Sequence, residues 1–359
     1  MNRRTVVVGM GVLAAGLSGC SAPPGEGAAP EAPDAHPAGV VNAPRLFTVH
    51  AAFTVTAKDR DGLESLLAAI AATVPAAEAE LTVSVGGTLF DERFGLAAQR
   101  PRRLSSMAGF AGDVLDESWC HGDVLVQVGA DTDAAATSAM AALVVLPGLE
   151  AKWSIESFRK EPTTTASGKP VSRNLFGFKE GMGNPATTDT ALMDRVVWVR
   201  ADGDEPSWTV GGTYQVVRLI RFAMELWDGD SVAAQEAVFG RHKQSGAPLG
   251  RDSEIADPGL AEDPAGARIP LTAHIRRAHA PTEENTILRR SHSYDQGTDA
   301  AGHPDQGLVF TCFQRDPERG FVSAQQRLAG EALEKYVLTF GGGYFFTLPR
   351  IGAGPVFGT

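Results

Sequence analysis

Between residues 45 and 160 the chain runs twice through the same cycle of alternating, helical and again alternating apolar positions. "RLFTVHAAFTV" reads as a strand. In "DRDGLESLLAAIAATV" the residues Leu63, Leu66, Leu67, Ile70 and Val74 recur every three or four positions, which predicts a helix with one buried face. Asp61 is placed to cap it. "ELTVSVGG" alternates again as a strand. "HGDVLVQVGAD", "TDAAATSAMAALVVL" and "AKWSIESFRK" then repeat the series as strand, alanine-rich helix and strand. The order βαβ–βαβ builds a ferredoxin-like α+β sandwich.

The second half partly repeats this order. "GGTYQVVRLIRFAMEL" predicts a long strand and "SVAAQEAVFG" a short helix. "QGLVFTCFQRD" parallels "GDVLVQVGAD", "FVSAQQRLAGEALEKYV" takes the helical place after it, and "GGGYFFTLP" is the closing strand. Two related halves, 45–165 and 166–359, thus predict one barrel-like body. The long insertions 86–121 and 240–306 are where function is expected. "GFKEGMGNP" lies just past the junction, where pockets tend to form.

The first 44 residues carry no such pattern. "MNRRTVVVGMGVLAAGLSGC" pairs Arg3 and Arg4 with an apolar run, Thr5 to Gly19, too short to span a bilayer. It reads as an export signal. The twin arginines resemble a Tat signal, and "LSGC" resembles a lipobox whose Cys20 is lipidated. Residues 1–20 are then a Tat/lipoprotein signal peptide, and the protein is expected to be extracytoplasmic and anchored to the membrane. Residues 21–44, rich in Pro, Ala and Gly, are expected to be a disordered tether, and His36 within them is not expected to be a ligand.

Composition narrows the partners. The 359-residue chain has a net charge of −11 and a pI near 5.2, which argues against nucleic acid. Beyond Cys20 only Cys120 and Cys312 remain, without CxxC spacing or neighbouring histidines. That pattern predicts no zinc site and favours buried thiols.

One stretch departs from the acidic average. "LTAHIRRAHAPTEENTILRRSHSYD" holds His274, His279 and His292, and places Arg276, Arg277, Arg289 and Arg290 within fifteen residues. A solvated basic loop is one reading. The other is an anionic cofactor held by arginines with a metal on one histidine. His274 and His279 are five apart, which does not stack on a helix face. A single axial histidine suits heme better than zinc.

"NLFGFKEGMGNP", "GRHKQSGAPLG", "AHIRRAH", "ILRRSHSYD", "GLVFTCFQRDPERGFVSAQQRLAG" and "GTLFDERFGLAAQRP" together resemble the dye-decolourising peroxidases, and among these the Tat-exported, deferrochelatase-type class. The resemblance implies two ferredoxin-like halves forming a dimeric α+β barrel with one heme b per chain, mainly against the second half. It implies a peroxidase that reduces H2O2 and oxidises an unknown donor through compound I. His274 would be the iron ligand and Arg289 the distal arginine. His279, Ala280 and Pro281 would line the heme, and Gly181, Met182 and Gly183 would cover its distal face. Arg276 is placed for a propionate contact. Glu331 or Glu334 would hold the other nitrogen of the axial histidine. Trp153, Trp198, Trp208, Trp227, Tyr294 and Tyr344 are available as electron relays, though most such aromatics are core. His292 and His303 are expected in loops, and His121 and His242 as structural or exposed residues.

Within that resemblance Glu180 would be the proton shuttle and Arg289 the cation for peroxide cleavage. The family motif GxxDG carries aspartate, whereas this chain has "GFKEG". The extra methylene moves the carboxylate by roughly 1–1.5 Å, a displacement on the scale that costs about a hundredfold in rate. The substitution also admits an alternative, a heme- or iron-handling lipoprotein with weak peroxidase activity, partnered with an iron importer. A heme-free binding protein of the same fold is the third reading.

Overall fold

The alternating stretches become eight long strands in a computed structural model that describes residues 36–74, 79–164, 168, 170–349, 351 and 356–357. The first half contributes β1 (Phe47–Val55), β2 (Glu80–Gly86), β3 (Val124–Ala130) and β4 (Leu149–Phe158). The second contributes β5 (Thr213–Phe222), β6 (His292–Thr298), β7 (Pro304–Gln314) and β8 (Val337–Thr347). Their order in space is β4-β1-β3-β2 and β8-β5-β7-β6, so the halves share one ferredoxin-like topology. Pairing of β8 with β2 and of β4 with β6, all antiparallel, closes the sheet into a barrel. Closure leaves none of the eight with a free edge.

Helices α1 (Arg60–Thr73) and α2 (Asp133–Val144) cover the first half. Leu63, Leu66, Leu67 and Ile70 of α1 are buried in the main core, as their spacing predicts. The cap differs from expectation. Asp59, not Asp61, accepts from the Gly62 amide, because its extended backbone is the one that turns the side chain onto the free N–H groups. Thr132 caps α2 in the same way, accepting from Ala135.

Several boundaries shift. The long strand expected through Leu226 ends at Phe222, and Met224–Asp228 turns helical. "FVSAQQRLAGEALEKYV" folds as three short turns and helices, divided by Gly330 at φ +78°. The insertion expected to run to 306 stops earlier, because residues 292–298 are β6. The strand is buried over three residues and exposed over four, so it carries no alternation to read. His292 is accordingly a buried strand residue and not a loop residue.

The expected tether is structured from residue 36 onward. Ala38–Val41 forms one helical turn with Val40 fully buried, and His36 stacks on Trp198 at 4.0 Å. Cys20 and the expected signal peptide lie outside the described residues.

The two seams between the halves are unequal. β2 and β8 share three residue pairs, reinforced by Ser84 donating to Gln215 at 2.6 Å. β4 and β6 share one pair, Phe158 with Ser293. There side chains cross the gap: Arg159 Nη1 donates to the Ser291 carbonyl at 2.7 Å, and His292 Nε2 lies 3.1 Å from Thr48 Oγ1.

Behind this seam His50 and His292 are buried together, ring centroids 6.2 Å apart. Burial, and then the neighbouring His292, lower His50 to about 3; burial, and then Arg159, lower His292 to about 4. Both rings are therefore neutral in the fold at pH values where the unfolded chain protonates them. A folded-state pKa below the unfolded value of 6.5 means stability is lost as pH falls from about 6.5 toward 4. The expected slope from the two groups is about 1.4 kcal/mol per pH unit for each. Denaturant midpoints measured across this range should show it, and His50→Asn should reduce it by about half.

Candidate active site

Residues 172–184 leave the junction as a tight hairpin. The Asn174 amide and carboxamide embrace Phe178, with N–H to O at 3.0 Å each way, and the Glu180 amide donates to the Ser172 carbonyl at 3.0 Å. Gly177, Gly181 and Gly183 lie at φ +87°, +74° and +78°, angles that side chains disfavour. Lys179 pairs with Glu254, and Arg173 donates to the carbonyls of Lys243 and Gln244, so the hairpin is tied to the second insertion.

Arg289 is brought to this hairpin by a short strand, Leu288–Arg289, that pairs with β7 at Cys312. Its Nε donates to Asn184 Oδ1 at 3.1 Å and its Nη2 to the Met182 carbonyl at 2.6 Å. Asn184 returns a bond from Nδ2 to the Arg289 carbonyl at 2.9 Å. The expected distal arginine and the expected distal loop are thus one hydrogen-bonded unit, with Asn184 as its clasp. Asn184 had no role in the sequence reading, and its place in "GNP" beside two glycines was its only signal.

Glu180 lies in the same unit, its side chain 15% exposed. Its carboxylate makes no hydrogen bond among the described residues. The nearest cation is Arg159, with Nη2 3.8 Å from Oε2. Burial raises the Glu180 carboxyl above the ordinary carboxylate range, against the opposing pull of Arg159 and Arg289. Burial also lowers the Arg289 guanidinium, which Glu180 partly restores. Arg159 directly follows β4, more than a hundred residues from Arg289, and no local motif marks it.

His274 opens a single helical turn, His274–Arg277. Its Nδ1 lies 2.7 Å from Glu331 Oε2, a buried carboxylate. Of the two acids expected near it, Glu331 makes this contact, while Glu334 accepts from the Gly330 amide at 2.6 Å. With Nδ1 held, Nε2 of His274 has no hydrogen-bond partner among the described residues. Phe239 meets the His274 ring edge-on at 5.9 Å and stacks on Phe178 at 4.1 Å, which links the histidine to the hairpin carrying Glu180.

The remaining candidates divide. Arg276 was expected at a propionate, but its Nε and Nη2 are taken up by the Ile269 carbonyl and by Asp263, so its guanidinium braces the insertion that carries it. His279 and Pro281 are exposed and Ala280 is half-buried, all just beyond the His274 turn. His303 is exposed and His242 pairs with Glu236 at 3.1 Å. His121 is half-buried at φ +60°. Cys120 and Cys312 are buried free thiols. All six aromatics considered as relays are core residues.

The residues fit a heme. An axial ligand needs one ring nitrogen held and the other free, and His274 has that arrangement. Propionates need buried cations. Arg327, on the helix Ser323–Leu328, donates through Nη1 to Ser323 at 2.6 Å, while its buried Nε and Nη2 have no hydrogen-bond partner among the described residues. A Cβ placed on Gly183 would meet nothing within 4 Å, so the glycine loop leaves space beside Arg289.

Comparison with known proteins agrees. The N-terminal Dyp-type peroxidase family profile matches residues 37–148 and the C-terminal one residues 171–351. Deferrochelatases of Escherichia coli (strain K12) and Shigella flexneri are each 47% identical over 276 residues, 76% of this chain. The match covers 65% and 66% of those proteins, so the chain spans just under two thirds of the length of these curated relatives. Ferric DtpA from Streptomyces lividans superposes with a TM-score of 0.80 at 31% identity, over 89% of this chain and 92% of its own. A DyP-type peroxidase from Cellulomonas bogoriensis does so with 0.82 at 31%, over 90% and 96%. The chain belongs to the Dyp-type peroxidase family of heme-binding proteins.

Proposed function

We propose that this protein is a heme-dependent peroxidase that reduces H2O2 and oxidises a separate donor. The observation that carries the reading is His274, with Nδ1 fixed by Glu331 and Nε2 free, in the same body as a buried acid and a buried arginine. Bound heme supplies the redox-active iron at which peroxide is reduced by two electrons. His274 would hold that iron and Arg327 a propionate. Every other task falls to side chains.

Glu180 is the base. Its carboxylate has free lone pairs, so it can accept the proton of one peroxide oxygen and return it to the oxygen that leaves as water. Arg289, fixed by Asn184 and the Met182 carbonyl, presents its charge without reorganising as negative charge develops on the leaving oxygen. Glu331 draws on the Nδ1 proton of His274 and makes the ring a stronger donor at Nε2. The glycines of the hairpin let backbone approach the reacting atoms, which keeps bulk water out.

The proposal extends to location. Arg3, Arg4 and "LSGC" support export through the Tat pathway and a lipid anchor at Cys20. Cys20→Ala is expected to move the protein from the membrane fraction to the soluble extracytoplasmic fraction, read by immunoblot of both.

Two outcomes test the site. His274→Ala should abolish stoichiometric heme uptake, seen as loss of the Soret band on titration with hemin. Glu331→Gln should retain heme and raise its reduction potential, because the neutral amide no longer draws the Nδ1 proton. Stoichiometric heme binding by the alanine variant would refute the axial assignment.

The acid makes a separate prediction. Since Glu180 must be ionised to accept a proton, the rate of reaction with H2O2 should fall as pH drops through its raised pKa, above the ordinary carboxylate range. Glu180→Gln should lower that rate by about 10²–10⁴ and remove the acid limb. Stopped-flow mixing across pH checks both, and an unchanged rate would exclude Glu180 as the base.

A further inference from the structure

Glu180 is surrounded by arginines that treat it differently. Arg289 spends Nε and Nη2 on Asn184 and the Met182 carbonyl and makes no ion-pair contact with the acid. Lys179, next to it in the chain, is paired with Glu254. The contact that reaches the Glu180 carboxylate comes from the other half of the barrel, from Arg159.

Arg159 is well fixed for this task. Its amide donates to the Leu46 carbonyl at 2.7 Å and its Nη1 to the Ser291 carbonyl at 2.7 Å, so backbone and guanidinium are both held. Its side chain is 14% exposed, and Nη2 stands 3.8 Å from Glu180 Oε2. At that separation the charges attract, yet no lone pair of the carboxylate is consumed by a direct hydrogen bond. The acid is oriented and still free to take up a proton. Arg290 and His292 also lie near Arg159, and burial first, then the Arg159 cation, disfavours their charged forms.

The length of the side chain matters here. An aspartate at 180 would withdraw the carboxylate by roughly 1–1.5 Å, and the contact with Arg159 would lapse. We propose that Arg159 is the positioning residue of Glu180, a cation lent by the N-terminal half that sets where this longer acid rests and favours its charged form. The proposal rests on the peroxidase reading for its consequence and on the geometry alone for the pairing.

The test uses the heme-loaded full domain and two readouts. In infrared difference spectra the protonated-carboxyl band that disappears in E180Q belongs to Glu180, and its midpoint is followed against pH. R159Q, which keeps a donor for the Ser291 carbonyl but loses the charge, should raise that midpoint by about one pH unit or more. R159K should restore most of the shift. In an E180D background the same R159Q change should move the band by less than a third as much. The acid limb of the peroxide rate should move with the band in the glutamate protein. A midpoint unchanged by R159Q, or an equal shift in the aspartate background, would overturn the proposal. The peroxidase reading fails by a different result, a peroxide rate indifferent to E180Q, while the band still decides the role of Arg159.

Discussion

A carboxylate and a guanidinium taken out of water cost several kcal/mol each unless partners replace the lost hydration, and the arrangement around Glu180 and Arg289 follows from that cost. Arg289 recovers its hydrogen bonds from Asn184 and from the Met182 carbonyl. Those acceptors lie on the glycine hairpin, so satisfying the arginine also fixes the hairpin. The hairpin in turn is tied by Lys179 and Arg173 to the second insertion, at Glu254 and at residues 243 and 244. Further along that insertion is His274. A single electrostatic demand thereby reaches from the hairpin of Glu180 into the insertion that carries His274.

The division of labour between the halves is uneven. The second half supplies His274, Glu331, Arg289 and Arg327, and the hairpin with Glu180 and Asn184 lies at its entrance. The first half packs α1 and α2 into a core that second-half residues such as Tyr214, Val216, Cys312 and Phe346 share, and it lends the site Arg159. That side chain arrives where β4 and β6 share a single backbone pair, a place with room for a guanidinium to cross.

Much of the barrel was legible because its strands alternate or run apolar between clear turn residues, as "ELTVSVGG" and "QGLVFTCFQRD" do. β6 was hidden, since "SHSYDQGT" is buried at one end and exposed at the other without alternation, and its pairing with β7 is a tertiary fact. Of the site, the residues inside compact motifs were readable: Glu180 among its glycines, Arg289 in "ILRR", His274 in "AHIR". Glu331 and Glu334 look alike until the chain folds and only one reaches Nδ1. A lone arginine such as Arg276 does not announce in sequence that its Nε and Nη2 bond the Ile269 carbonyl and Asp263, thirteen residues earlier. Arg159 carries no motif, and within "FVSAQQRLAG" nothing singles out Arg327 until the helices are packed.

The unequal seams bear on symmetry. Were this barrel assembled from two separate copies of one ferredoxin-like unit, a two-fold axis would oblige both junctions to be identical, and any loosening of one would be imposed on the other. Joining the halves in a single polypeptide lifts that obligation. One junction can stay a well-zipped sheet while its counterpart is pared to a single pair and opened to an arginine. Asymmetry of this kind lets a scaffold with repeated architecture build one reactive pocket without maintaining a second.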